Sequence, residues 1–536
     1  MEQGYAGYSN WPTAALRHDS RTGHPYYYEW VHFLLMEYTE HLLSWIIFLP
    51  LAGAVFIAFL RDEGWIRLVA LGITVADFVV SLPLWIRFDS TTYAMQFVER
   101  VPWIQAFNIN YSVGVDGISV LLILLTTLVT PMCILCSWQA IQSRIKEYMI
   151  VILVLETSMI GVFCALDFVL FYVFWEAMLI PMYLLIGVWG GQRRIYSAVK
   201  FFLYTLAGSL LLLVAILVLY FLGGQTFDIQ TLMKPTYSPT AQFWVFLAFF
   251  VAFAIKIPMF PFHTWLPDAH VEAPTAGSVI LASVLLKMGT YGFLRFCLPM
   301  VPDATTMFAP MVIVLSLVAI LYGSYMALAQ TDMKKLVAYS SVGHMGFITL
   351  GIFVFNSHGI QGAILQMINH GITTAALFLC VGIIYDRTHS RLISVNSGVG
   401  QQMPIYVTLL AIFSFASFGI PGTNGFIGEL LILVGVAEYN IIIAAIALPG
   451  VLLSAAYMLW MLQRIVWGEH TRENKLPVAD LNMRELSTLL PLLVLVFWIG
   501  FYPKPFLGFM EVSVDHLLTQ IQSAQPIKFS QVFDGS

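Results

Sequence analysis

Charge is what this 536-residue sequence has least of. Acidic and basic residues together make up 10% of it, where a soluble domain carries about 25%. That shortage excludes an ordinary soluble enzyme and a protein that grips nucleic acid by its phosphates. The 59% hydrophobic content and the mean hydropathy of +0.82 point instead to a chain solvated by lipid. Cysteine is scarce as well: five residues, odd in number and scattered, make no disulfide framework. Cys133 and Cys136 form a C-x-x-C, but inside the apolar run LLILLTTLVTPMCILCSW. Two packed helix cysteines are the ordinary reading there and a redox or metal pair the other. No second pair exists to complete a four-thiolate site. A strand-flanked G-x-G-x-x-G for a dinucleotide is missing, and so is the cysteine cluster that an iron–sulfur centre needs. Nothing resembles a cleaved leader. The first forty residues are polar and aromatic, and the first apolar run begins near Leu42, so Met36 is an alternative start and the extension reads as a tail without a catalytic role.

Long hydrophobic runs fill the rest. A helix needs about 20 apolar residues to cross a bilayer, and about fourteen such runs follow one another, centred from residue 51 to residue 494. The expected fold is an all-α polytopic membrane protein. Basic residues test the count, because cytoplasmic loops carry the excess of lysine and arginine. With the N-terminus outside, the loops after odd-numbered spans hold about fifteen basic residues, Lys334, Arg472 and Lys475 among them, and the opposite loops hold Arg87, Arg100 and Lys234. Both termini are then expected on the non-cytoplasmic side.

Two spans are interrupted. The seventh reads FAIKIPMFPFHTW, with Pro258 and Pro261; the twelfth reads SFGIPGTNGFIGELL, with Pro421, Gly422 and Gly425. Proline removes a helix hydrogen bond, and unpaired backbone at membrane depth survives only inside protein or against a wet cavity. Both breaks share an Ile-Pro followed by a phenylalanine, and they lie five spans apart. Paired broken helices at matching positions in two halves mark a repeat transporter and its ion path. The expected organisation is a polar extension (1–41), three N-terminal spans (42–138), one five-span unit (148–302), a second (305–468), and a last span with its tail (486–536).

The few charges that do lie in apolar runs carry the functional reading. A lysine at mid-membrane costs ~3 kcal/mol on insertion scales. Lys256 follows the uncharged QFWVFLAFFVAFAI, and Glu176 sits in FYVFWEAMLIPMYLLI. Lys287, His344 and His370 lie in the eighth, tenth and eleventh spans, Glu429 just beyond the break in the twelfth, and Glu156 in the fourth. Each has a plain alternative. A lone histidine commonly bonds two helices together, Lys287 could snorkel from a helix end, Glu156 could lie at the lipid interface, and a Glu–Lys pair could simply clamp helices. As a set beside two broken helices, Glu176, Lys256, Lys287, His344, His370 and Glu429 read as a proton relay, with Glu156 of second rank. Burial weakens an amine's hold on its proton and a neighbouring carboxylate restores it, so movement of Glu176 would switch Lys256. Histidine suits the middle of such a path because it titrates near neutrality.

At these residues the sequence resembles a known family. FWEAMLIPMYLLIG, KIPMFPFHTWLPDAHVEAPTAGSVILASVLLKMGTYG, AYSSVGHMGF, QMINHGITTAALFL and GIPGTNGFIGE are similar to the antiporter-like membrane subunits of NADH–quinone oxidoreductase, respiratory complex I, and the likeness runs from about Leu42 to Tyr502. The resemblance implies fourteen helices with two inverted five-helix repeats and one proton path per subunit. By matching motifs, Glu176 and Lys256 are the coupling pair, Lys287, His344 and His370 the central axis, and Glu429 the exit residue. Related subunits usually carry lysine at the place of Glu429. The polar extension and Gly343, where serine is commoner, depart from the pattern. The resemblance further implies a multi-pass protein of the inner (plasma) membrane of a bacterium. It implies no cofactor in this chain, with NADH, FMN, iron–sulfur clusters and quinone in partner subunits. Its partners would be the other membrane subunits, neighbouring antiporter-like ones above all, and, indirectly, the redox arm. Two other readings stay open: a subunit of a multisubunit cation/proton antiporter or membrane-bound hydrogenase, and a structural scaffold with a vestigial channel.

Overall fold

A computed structural model describes residues 41–468, 479–522, 524–527 and 531–532. The polar extension with Met36, and Arg472 and Lys475, lie outside the described residues.

Among the described residues, thirteen helices are long and apolar enough to cross a membrane. They are α1 (Leu42–Phe59), α2 (Glu63–Arg87), α3 (Val120–Ala140), α4 (Ile145–Cys164), α5 (Phe168–Trp189), α6 (Arg194–Leu222), α7 (Pro239–Lys256), α8 (Thr275–Met300), α9 (Pro302–Leu328), α10 (Met333–Phe353), α11 (Ser357–Thr388), α13 (Ile441–Trp467) and α14 (Met483–Phe501). The remaining span expected from the sequence, α12, is present in two pieces too short to cross singly, Pro404–Ser417 and Asn424–Tyr439. Polar residues at the helix starts set the boundaries. Asp62 accepts from Trp65 N–H to open α2, Asp167 accepts from Val169 and Leu170 to open α5, and Asn482 with Glu485 forms a capping box on α14.

Both breaks are repaired locally. After Lys256 the chain makes a turn through Pro258 and Pro261 and resumes as a short helix, Trp265–Glu272. Pro258 and Pro261 have no N–H to give, and the Trp265 indole donates to the Ile255 carbonyl across the gap at 2.8 Å. In α12 the break needs glycine, because Gly419 and Gly422 take φ of +75° and +92°, which other residues adopt only under strain. The amide of Asn369 on α11 donates to the Asn424 carbonyl at 2.7 Å, so the exposed backbone of the break finds a partner inside the protein.

The helices are not equivalent. The apolar stretches of α8 and α11 are buried throughout, while α2, α6 and α13 turn much of their surface outward. Lys287, His344 and His370 therefore fall on enclosed helices, α8, α10 and α11. Where α9 crosses α10, a Cβ on Gly323 would meet Gly343 N at 2.7 Å. Gly343, one of the two departures from the family pattern, thus lies in a crossing that favours small residues. α8 itself is not a plain α-helix: it opens to π geometry over Leu281–Leu285 and again over Phe293–Cys297, a feature that concentrates at functional sites.

Two elements went unseen in the sequence. Strands β1 (Gln96–Ile104) and β2 (Ile109–Val115) pair antiparallel between α2 and α3. Their Glu99 accepts from Ser44 N at the start of α1 at 3.0 Å. A further helix, α15 (Lys504–Gln522), follows α14 and buries Phe506, Met510, Val514 and Leu517.

A buried ion pair fastens this end of the bundle. Arg295 at the foot of α8 grips Asp116, just after β2, in a two-pronged contact at 2.8 and 2.6 Å. Burial alone would push the Asp116 carboxyl up, but the guanidinium beside it, together with the Ser119 and Ile118 N–H groups, more than offsets that and holds it below the ordinary carboxylate range. A carboxyl lowered on folding stabilises the native state above its unfolded value of ~3.9, and that contribution is lost as pH falls through the lower folded value. Asp116→Asn removes the charge at every pH and strands Arg295, a loss of about 3–5 kcal/mol. Thermal unfolding in detergent should show a lower midpoint for the variant at pH 7 and a narrowing gap to wild type below about pH 4, where wild type loses the same charge.

Candidate functional site

The first half of the site is built at two helix irregularities. α5 bends at Met178, between Phe168–Ala177 and Leu179–Trp189, and Lys256 ends the first piece of α7. This puts the Lys256 ammonium, 2% exposed, against the bend. Nζ reaches the Met178 sulfur at 3.2 Å and stands 5.0 Å from the centre of the Trp175 ring. Its expected partner Glu176 lies between these two contacts on α5, next to Trp175 in the chain. Glu176 Oε1 has no hydrogen-bond partner, and no ion pair joins the two, although the carboxylate acts on the lysine electrostatically. Lys256 is thus held by a sulfur and an indole face, both weak partners for an ammonium.

The second half is a connected line. Lys287 on α8 is wholly buried, so the snorkelling alternative fails: α8 is enclosed along its length and offers no route to an interface. Its Nζ donates to the Ala282 carbonyl at 2.5 Å, within the π stretch that loosens the helix ladder, and meets His370 Nδ1 on α11 at 2.6 Å. The His370 and His344 rings stand 5.7 Å apart, centre to centre. His344 Nδ1 then meets Glu429 Oε1 at 2.8 Å, and Gln366 donates to the same oxygen at 3.1 Å. Ser417, at the end of the first piece of α12, lies 3.4 Å from His344 Nε2. Four of the six expected residues therefore lie in one row as two bonded pairs, Lys287–His370 and His344–Glu429, set side by side through their rings, and Glu176 with Lys256 forms a separate cluster. His370 Nε2 and Glu429 Oε2 have no partner among the described residues, so the line has open valences.

Other groups belong here that sequence reasoning passed over. His270, on the short helix after the break in α7, is wholly buried and stacked on Phe378 at 4.6 Å, with neither ring nitrogen bonded. Lys334 was counted among the cytoplasmic loop charges, yet it is buried and donates at 2.6 Å to the carbonyl of Ala273, just past the short helix that carries His270. Gln366 and Asn369 on α11 hold Glu429 and the backbone of α12. His270 was legible inside HTWLPDAHVEAP, where the prolines drew the reading. The two amides carry no charge and gave no signal. Among the described residues no group of three or more metal-ligating side chains occurs, and Cys133 and Cys136 are free thiols.

Buried lysines, histidines and a glutamate in a row between two broken spans define an antiporter-like membrane subunit. A model of the NADH:quinone oxidoreductase/Mrp antiporter transmembrane family matches residues 165–454, and one of the amino terminus of NADH-ubiquinone oxidoreductase chain 4 matches residues 45–162. The sequence is 50% identical over 501 residues to NADH-quinone oxidoreductase subunit M of Rhodobacter capsulatus, covering 89% of this chain and 96% of that one. It is 48% identical over 481 residues to NADH-ubiquinone oxidoreductase chain 4 of Marchantia polymorpha, covering 89% and 97%. The fold superposes on a chain of respiratory complex I from Thermus thermophilus with bound NADH at a TM-score of 0.83 and 31% identity, covering 89% of this chain and 99% of that one. The chain belongs to the subunit M, or chain 4, family of NADH-quinone oxidoreductase.

Proposed function

We propose that this chain is the proton-translocating membrane subunit of an NADH-quinone oxidoreductase. The observation that carries the reading is the buried row formed by the Lys287–His370 pair and the His344–Glu429 pair, each in hydrogen-bond contact, with the two imidazole rings 5.7 Å apart between them. Titratable groups this close pass protons, whereas a mere helix clamp has no use for two neighbouring histidines, one of them with its Nε2 unpartnered among the described residues. The chain is a non-redox subunit. NADH, FMN, iron–sulfur clusters and quinone act in partner chains, and this one is not catalytic alone. It works as two five-helix units, 148–302 and 305–468, inverted with respect to one another, with both termini on the outer side of a bacterial plasma membrane. Neighbouring antiporter-like subunits flank it in the bilayer.

In the first unit, Glu176 and Lys256 form the switch. When Glu176 closes on Lys256, the ion pair holds the ammonium charged. In the structure no ion pair joins them and Lys256 rests on Met178 and Trp175; from this setting the proton moves on toward Lys287. Low local dielectric makes small movements of either charge energetically large. In the second unit His370 and His344 carry the proton to Glu429, and Ser417 and Gln366 orient its last two stations. These groups titrate as a set rather than singly.

Gentle extraction with a tag on this chain, followed by mass spectrometry of its partners, tests the assignment. Flavin and iron–sulfur chains that oxidise NADH are expected in the same particle. Recovery of membrane chains alone, with cation-dependent proton exchange, would move the assignment to a cation/proton antiporter.

A further inference from the structure

Outside the relay, two carboxylates are left with nothing to bond. Asp77 stands midway along α2 and Glu156 midway along α4, and the two helices pack on each other. Both side chains are 0% exposed, so the alternative of a lipid-interface Glu156 fails. None of the four carboxylate oxygens has a hydrogen-bond partner among the described residues, and each acid lies within electrostatic reach of the other.

The surroundings offer nothing to neutralise two anions. On α3 the nearest groups are Thr130 and Cys133. The Thr130 hydroxyl donates to the Thr126 carbonyl but is near enough to turn to Glu156, and Cys133 is a buried thiol. Cys164, at the end of α4, is the thiol on the Asp77 side. α1, packed against both helices, carries no titratable residue. No basic side chain bonds either acid among the described residues. Leaving like charges together in such a place costs several kcal/mol per ion. The site must therefore bind a positive charge of its own. A metal cation is poorly served, because hard cations take six or more oxygens, and no third metal-ligating side chain joins the pair among the described residues. A proton needs one oxygen lone pair and no more. The Ser81–Thr127 hydroxyl contact at 2.9 Å, between α2 and α3, continues the polar seam beyond the pair.

We propose that Asp77 and Glu156 form a proton-binding dyad, a second protonic site set to the side of the relay between the first four helices. At neutral pH it holds at least one proton as a carboxylic acid, and a proton passes on or off it without any metal ion.

Infrared spectroscopy on the full chain isolated with its native membrane partners tests this. The carbonyl stretch of a protonated carboxylic acid, shifted on exchange into heavy water, should be present at pH 7 in sodium-free buffer. It should weaken in Asp77→Asn and in Glu156→Gln and lose the dyad's whole share in the double variant. Should the amide variants fail to assemble, Asp77→Glu and Glu156→Asp keep both acids and should shift the band rather than remove it. A wild-type spectrum that matches the double amide variant at pH 7, or in which sodium ions abolish the band, would overturn the proposal in favour of an ionised pair that binds a metal cation. A band that moves in none of the four variants overturns it as well, since the acid then lies elsewhere.

Discussion

Lys256→Ala is expected to abolish redox-linked proton movement in a complex that still assembles, with proton transfer slowed by about 10²-fold or more, the range typical for losing a group that carries the transferred proton. Assembly should survive because the lysine holds little together. Its contacts are the Met178 sulfur and the Trp175 face, and no ion pair is broken by its loss. Function should not survive, because Glu176 then has no switchable partner and Lys287 no donor. The informative companion is Lys256→Arg. It preserves the charge that Glu176 feels, but a guanidinium does not give up its proton in a protein. If the lysine were only an electrostatic clamp, arginine would restore pumping; if it is a carrier, arginine fails as alanine does. Proton yield per NADH oxidised, read in sealed inside-out vesicles with a pH dye, separates the two. Wild-type yield in assembled Lys256→Arg vesicles would sink the carrier role.

How much of this was legible beforehand differs from residue to residue. Span length and the proline-glycine breaks need only one-dimensional information, and α7 and α12 broke where Pro258, Pro261 and the Pro421–Gly425 stretch stood. Depth was harder, because a sequence places a charge along a helix but not around it. Lys287 and Glu156 both had interface alternatives until the packing of α8 and α4 enclosed them. Lys334 lay close enough to a span end to read as a loop charge, yet it reaches inward to the Ala273 carbonyl at the end of the short helix before α8. Asp77 stood in full view in LVALGITVADFVVSL and was not weighed, although a lone carboxylate in such a run is itself a functional signal. Arg295 and Asp116 lie far apart in sequence, and only the fold brings them together. β1 and β2 were obscured because a short hairpin in a loop competes with much stronger helical signals.

Within the proposed relay the neighbour of each histidine comes from geometry, Lys287 beside His370 and Glu429 beside His344, and this fixes the second large expectation. Glu429 is the terminal member of the line, so Glu429→Gln should block proton release while leaving earlier stations loaded. The substitution is nearly isosteric, and its amide oxygen can still accept from His344 and Gln366, which now bond Glu429 Oε1 at 2.8 and 3.1 Å. The new amide nitrogen takes the place of Oε2, which has no partner to lose among the described residues. Helix positions and assembly are therefore expected to hold, and what disappears is the capacity to take up a proton and give it away. In single-turnover work with pH dyes on the two sides of a vesicle, uptake on the entry side should persist for the first turnover. Release on the exit side should fall by about 10²-fold, as for other groups that transfer the proton directly. Glu429→Asp should fall between wild type and Gln, because the shortened side chain keeps the chemistry but draws back from His344. The comparison discriminates chemistry from shape: a structural role predicts Gln better than Asp, and a proton-carrying role predicts Asp better than Gln. Equal, wild-type release from both variants would remove Glu429 from the path and turn attention to the unpaired Nε2 of His370 as the point where the proton leaves the line.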